Sequence, residues 1–308
     1  VSASPVPSTS IPTAPAAAPP SLSRGVHDGF LGHADFRWLK LALLLCAAST
    51  LAYWRHAPVA GANGGTWLGY TLGGIGTVLI LALSALGIRR RRYSSRLGTV
   101  RGWTSAHVWL GLALVLVGTL HSAFEFGWNI HTLAWLLMLL VVLSGLYGVV
   151  AYSRYPALIT ANRAGKSRDQ WLIDLDEADE RVLSLASAVD RETHLLVLRA
   201  IEATAISNRM RDHLRGRAVQ VRAANGGAGT MLERITAQLA TGRRTGDDAR
   251  RVAELIDLLA RRHSLLTRLG RDLAFHARMR VWLMLHVPMT LALLAALTGH
   301  IVSVFLYW

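Results

Sequence analysis

Two apolar stretches carry the same mark: a histidine at each end and no other ionisable residue between. One, HVWLGLALVLVGTLH, runs from His107 to His121. The other, HVPMTLALLAALTGH, runs from His286 to His300. Both pairs are fourteen residues apart. At about 100° per residue, that spacing returns to within about 40° of the starting direction, so each pair lies near one helix face. At about 1.5 Å per residue the two rings stand about 21 Å apart, near opposite sides of a hydrocarbon core about 30 Å thick. A histidine in lipid is costly and needs a partner.

The composition agrees with a membrane setting. Of 308 residues, 52% are hydrophobic and 17% charged, and the mean hydropathy is +0.33. The net charge of +14 would suit nucleic acid, but the arginines flank apolar spans, so topology is the better reading and no nucleic-acid partner is expected. The one cysteine, Cys46, excludes an internal disulfide, a CxxCH haem attachment and a four-cysteine Fe–S site within the chain. Trp38, Trp54, Trp67, Trp103, Trp128, Trp282 and Trp308 fall near span ends, as in an interfacial belt.

The fold expected is an all-α membrane protein with five transmembrane helices and a helical, coiled-coil-like insertion. Residues 1–36 form a Pro/Ala-rich segment, disordered in its first 24 or so, with no basic n-region of a secretory signal. Residues 37–156 carry spans one to four, near 38–54, 66–88, 103–124 and 131–152. Pro156 is expected to end the fourth. Gly69, Gly73, Gly74 and Gly76 in the second read as plain helix packing. The run RRRRYSSRLGTVR, Arg89–Arg101, is expected on the cytoplasmic side, which puts the N-terminus inside and the C-terminus outside a bacterial inner membrane. Residues 157–278 form the cytoplasmic insertion. Ser167 and Gln170 suggest a capping box, and Trp171, Leu175, Ala178, Val182, Leu185 and Val189 a seam. Val252, Leu255, Leu259, Leu266, Leu269 and Leu273 repeat it, with Arg262 interrupting. AANGGAG, 223–229, reads as a flexible break. Residues 279–308 carry the fifth span, near 281–307, which can continue directly from the insertion's last helix.

One span separates the third from the fifth, so these two run parallel. His107 then stands level with His286 on the cytoplasmic side, and His121 with His300 outside. Two histidines at each of two levels suit axial ligation of a porphyrin from both faces, and two haem b groups are expected, with all four histidines as iron ligands. Gly111, Gly118, Ala295, Ala296 and Gly299 would leave room beneath a ring. Pro288 would free the carbonyl of Met284 and kink the helix beyond His286. Each ligand needs an acceptor for its other nitrogen, such as a backbone carbonyl one turn back. His131 stays open: a replacement for His121 or His300, a group for a haem propionate or quinone head, or an interfacial histidine without function. His27, His33, His56, His194, His213, His263 and His276 read as solvent-facing.

With these residues in view, the chain resembles the dihaem cytochrome b superfamily. It is similar to cytochrome b of quinol:cytochrome c oxidoreductases and to the membrane domain of ferric reductases and NADPH oxidases. In those families two parallel helices each carry two histidines at nearly this spacing, and His107, His121, His286 and His300 match them. SGLYGVVAYSRYP, Ser144–Pro156, looks like a span end of the ferric-reductase type. The resemblance covers roughly 66–156 and 281–308, and the long insertion departs from it. No GxGxxG segment and no alternating strands appear, so no flavin or nicotinamide domain is expected.

The function expected is transmembrane electron transfer by an electron-transfer subunit of an oxidoreductase complex, with no catalytic residue assigned. Membrane lipid surrounds it. Quinone, a flavoprotein or Fe–S protein inside, and a cytochrome c outside are the candidate partners. Alternatives are a quinol oxidase or ferric or oxygen reductase acting at the outer haem, a haem-based redox sensor signalling through the insertion, and a haem-free transporter.

Overall fold

The computed structural model describes residues 29–58, 61, 63–91, 98–221, 236–237 and 246–306. The expected N-terminal disorder, His27, the break at 223–229, the middle of the arginine run and Trp308 lie outside them.

The protein is an all-α, multi-span membrane protein with five helices long and apolar enough to cross a bilayer. They are α1 (His33–Arg55), α2 (Trp67–Ser84) with its short extension α3 (Leu86–Arg91), α4 (Val100–His121), α5 (Ile130–Arg163) and the last part of α9 (Asp247–Leu306). The apolar residues point outward: Leu44, Val78 and Phe305 are 66%, 65% and 78% exposed. In water such surfaces would be aggregation sites; against lipid tails they are the solvent-compatible face. Backbone polar groups are satisfied inside each helix, and side-chain caps hold the entries to three of the spans. Thr66 accepts from the Gly69 N–H, Thr99 from that of Gly102, and Asn129 from that of Thr132.

Helices α1 and α2 pack on α4, and α5 packs on both α4 and α9. Leu68 and Leu72 of α2 meet Val117 and Leu120 of α4 in one core. Ile80, Leu114, Met138, Leu293 and Leu297 join α2, α4, α5 and α9 in another. Helix α4 ends at His121, short of the expected Phe124. Ala123 and Phe124 take left-handed φ values of 50° and 63° and reverse the chain toward α5.

Pro156 does not end the fourth span. It lies inside α5, which runs on to Arg163. One backbone bond is lost, but α5 stays packed along α9, and the Thr160 hydroxyl bonds the Pro156 carbonyl at 3.0 Å. Pro288 is likewise inside α9.

Between the fourth and fifth spans lie α6 (Arg168–Val189), α7 (Arg191–Glu202), β1 (Thr204–Ile206), α8 (Met210–Leu214) and β2 (Val219–Val221). The two strands form an antiparallel ribbon where no strand was expected. At three residues each, the strands are too short to give an alternation to read. Ser167 and Gln170 make the expected capping box at the start of α6. Val182 and Ala186 of α6, Val197 and Ala200 of α7, and Val252, Leu255 and Leu259 of α9 share one core. Arg262 sits buried in that seam because it pairs with Asp179 and also donates to Thr204 Oγ1 at 3.3 Å. Helix α9 then continues without a break into the fifth span, 60 residues in all.

A polar knot ties this region to the spans. Asp272 of α9 is fully buried and accepts from Arg163, at the end of α5, at 2.9 Å and from Arg168, at the start of α6, at 2.5 Å. Beside it Asn162 and Arg268 exchange bonds to each other's carbonyls. Burial alone pushes the Asp272 carboxyl up, but the bonds from Arg163 and Arg168 outweigh it and hold the group below the usual aspartate range.

Candidate metal centre

The four histidines of the two marked stretches meet in two pairs. The rings of His107 and His286 are 6.4 Å apart, centre to centre, and those of His121 and His300 are 6.1 Å apart. The pairs form at opposite ends of α4, so α4 and the last part of α9 run in the same direction. The helices line a small, half-open apolar cavity at the first level, about 80 Å³. His107, Gly111, Gly145, His286 and Thr290 are among its lining residues. Ligand sites usually run to about 300–1,000 Å³, so a haem seated there would need the lining side chains to part.

The second nitrogen of three of these rings is already committed. His107 Nδ1 is 3.0 Å from the Leu83 carbonyl and His121 Nδ1 is 2.8 Å from the Gly69 carbonyl. A carbonyl can only accept, so both Nδ1 atoms carry the proton and both Nε2 atoms keep a free lone pair. His286 Nδ1 is 2.7 Å from Ser144 Oγ, whose own hydrogen is given to the Val141 carbonyl at 2.8 Å. His286 Nδ1 is therefore the donor as well. These acceptors were expected one turn back on the same helix. They come instead from α2 and α5, which pack against the histidine faces.

Trp282, read as an interfacial belt residue, turns inward. Its indole N–H donates to the Ser144 carbonyl at 2.7 Å, and its ring lies 5.3 Å from that of His286, tilted by 31°. It fits because Gly148 opposite has no side chain: a Cβ there would run into the indole. Tyr152 meets the other edge of Trp282 at 5.5 Å, and Arg90 lies over the Tyr152 ring and donates to its hydroxyl at 3.1 Å.

At the other level a third histidine joins. His131 is 5.1 Å from His121 and 4.8 Å from His300, ring centre to ring centre. One ligand atom from each of the three lies within 4.8 Å of the other two. Gly73 makes room here: a Cβ would stand 2.7 Å from His121 Cε1. Its position in the second span was read as helix packing; the ring it admits belongs to another helix. Gly118, expected beneath a cofactor, faces Met138 instead, at 2.9 Å from a built Cβ, and Gly299 faces Ile130.

No family model, no curated protein and no solved structure matches this chain.

The remaining described histidines, read as solvent-facing, are each half-buried. His33 packs against Gly102, and His56 lies edge-on to Trp67. His194, His213 and His276 bond backbone carbonyls.

Proposed function

We propose that the protein is a membrane electron carrier with a b-type haem held between His107 and His286. The observation that carries this is the facing pair itself. Both rings have Nδ1 protonated and Nε2 bare, they stand 6.4 Å apart, and they border an apolar cavity. Two imidazoles that bind one metal from opposite sides, with bonds of about 2.0–2.1 Å, have ring centres roughly 6.3 Å apart. With one cysteine in the chain, a CxxCH thioether attachment is excluded, which leaves the non-covalent b type.

A haem bound there would supply one-electron chemistry through its iron. The chain's own residues orient and shield. The Leu83 carbonyl and Ser144 hydroxyl fix ring rotation and tautomer. Ile80, Leu114, Met138 and Leu293 keep water from the pair. Arg90, fixed on Tyr152, places positive charge at the same end. Lipid is the surrounding medium, and quinone or soluble redox proteins remain the proposed partners. The second haem expected between His121 and His300 is not carried into this proposal, because His131 reaches the space between those rings.

The test is a reduced-minus-oxidised spectrum with haem quantitation on the purified chain. Low-spin b-type bands and about one haem per chain are expected; a pale protein after expression with ample haem would sink the reading. Ser144→Ala is expected to weaken haem affinity by about 10–100-fold, since it removes the acceptor that aligns His286. Haem titration of the apoprotein checks this.

A sensor is the second reading, favoured by one feature. His286 lies on the same uninterrupted helix as Val252, Leu255 and Leu259 of the core outside the spans. Reduction that alters amide exchange in α6 and α7, with no onward transfer to a quinone analogue, would select it over the carrier.

A further inference from the structure

We infer that His121, His131 and His300 form a site for a single first-row transition-metal ion of the copper and zinc class, and not a second porphyrin seat. The two levels differ in geometry. An imidazole bound at about 2.0–2.1 Å puts its ring centre roughly 3.2 Å from the metal. Opposed rings are then about 6.3 Å apart, and rings at a tetrahedral angle about 5.2 Å. The first level has one distance, 6.4 Å, and it is the opposed value. The second has three, 4.8, 5.1 and 6.1 Å, scattered about the tetrahedral value.

The same three distances locate His131. Its ring centre falls roughly 4 Å from the midpoint between His121 and His300, where an iron bonded to both at about 2.0 Å would sit. A macrocycle centred at that midpoint would have to pass through the His131 ring. His131 is held there by the start of α5, where Asn129 caps the helix and the Thr132 hydroxyl accepts from the Gly127 N–H. It does not hang from a loose loop.

The donors suit the ion. Three neutral imidazoles with no carboxylate in the set favour zinc, copper, nickel or iron over magnesium or calcium. At equal availability the divalent series places copper above zinc. His121 Nδ1 is committed to the Gly69 carbonyl, so its Nε2 is the ligand atom, oriented as metal-bound histidines are. Three protein ligands leave a fourth position for water or a small external ligand. The site does not depend on the haem reading of the first level.

The experiment is metal analysis with haem quantitation on the full chain, purified in detergent without a histidine tag and loaded with copper or zinc. Wild type is expected to hold about one ion and one haem per chain. His131→Ala should fall to background in the ion and keep its haem, which also reports that the bundle has folded. Gly73→Val, which removes no ligand but drives a side chain into the His121 ring, should lose the ion as well. His107→Ala should show the reverse: ion kept, haem lost. Two haems per wild-type chain would overturn the inference, and so would His131→Ala or Gly73→Val with undiminished ion content. An ion-binding chain with no haem would support this site while sinking the proposal for His107 and His286.

Discussion

His286→Ala is expected to yield a protein with no b-type Soret band, inserted and helical as before. The loss should be near complete, from about one haem per chain to less than about a tenth, because removing a ligand costs more than the 10–100-fold typical of losing a ligand's hydrogen-bond partner. The substitution would take away one of the two imidazoles proposed to hold the haem and leave a space flanked by Ser144, Gly145 and Trp282 with no second imidazole. Trp282 still donates to the Ser144 carbonyl, so the packing of α5 on α9 has an anchor independent of the imidazole. Haem quantitation together with circular dichroism separates the two effects. Full haem content with an unchanged spectrum in this variant would remove His286 from the site.

The second large effect is expected at the polar knot. Arg163→Ala with Arg168→Ala leaves the fully buried Asp272 without its two charged partners. A buried charge stripped of its pair typically costs about 3–5 kcal/mol, and a loss of that order in unfolding free energy in detergent is predicted. The pH dependence gives an independent check. In the wild type the carboxyl is held below its unfolded value near 3.9, so its contribution is complete above that pH and is lost as pH falls through the depressed value. In the double variant burial is opposed only by the neighbouring His276, and the carboxyl is expected to rise above its unfolded value. Acidification then protonates the uncompensated group, and the gap between variant and wild type should narrow as pH falls. A gap that is constant from neutral pH to below 4 would show that Asp272 is not the cause.

The bundle was legible in the sequence because its signals are periodic. Long apolar runs, flanking arginines and two matched fourteen-residue spacings specify which helices cross, which two run together, and which histidines share a level. The continuity of α9 and the capping box at Ser167 were legible for the same reason. What escaped was everything one helix offers another. Nothing local to His107 or His286 points to the Leu83 carbonyl or to Ser144. Gly73 read as a plain packing glycine and Gly148 carried no reading of its own, because the rings of His121 and Trp282 above them come from other helices. His131 was noticed but not placed, since its reach depends on the left-handed turn at Ala123 and Phe124, residues with no strong preference for that conformation. Asp272 has only His276 beside it on its own helix; Arg163 and Arg168 are brought to it by the fold.

The unbroken α9 also works as a ruler. From Asp247 to Val281 it runs roughly 34 residues, or about 50 Å. A soluble protein that settles on the far tip, where α6 gives way to α7, is therefore kept tens of ångströms from Trp282 and His286. A partner exchanging electrons with the haem proposed at His107 and His286 would have to dock nearer the spans than that tip. The tip would be left to a molecule that never meets the proposed haem.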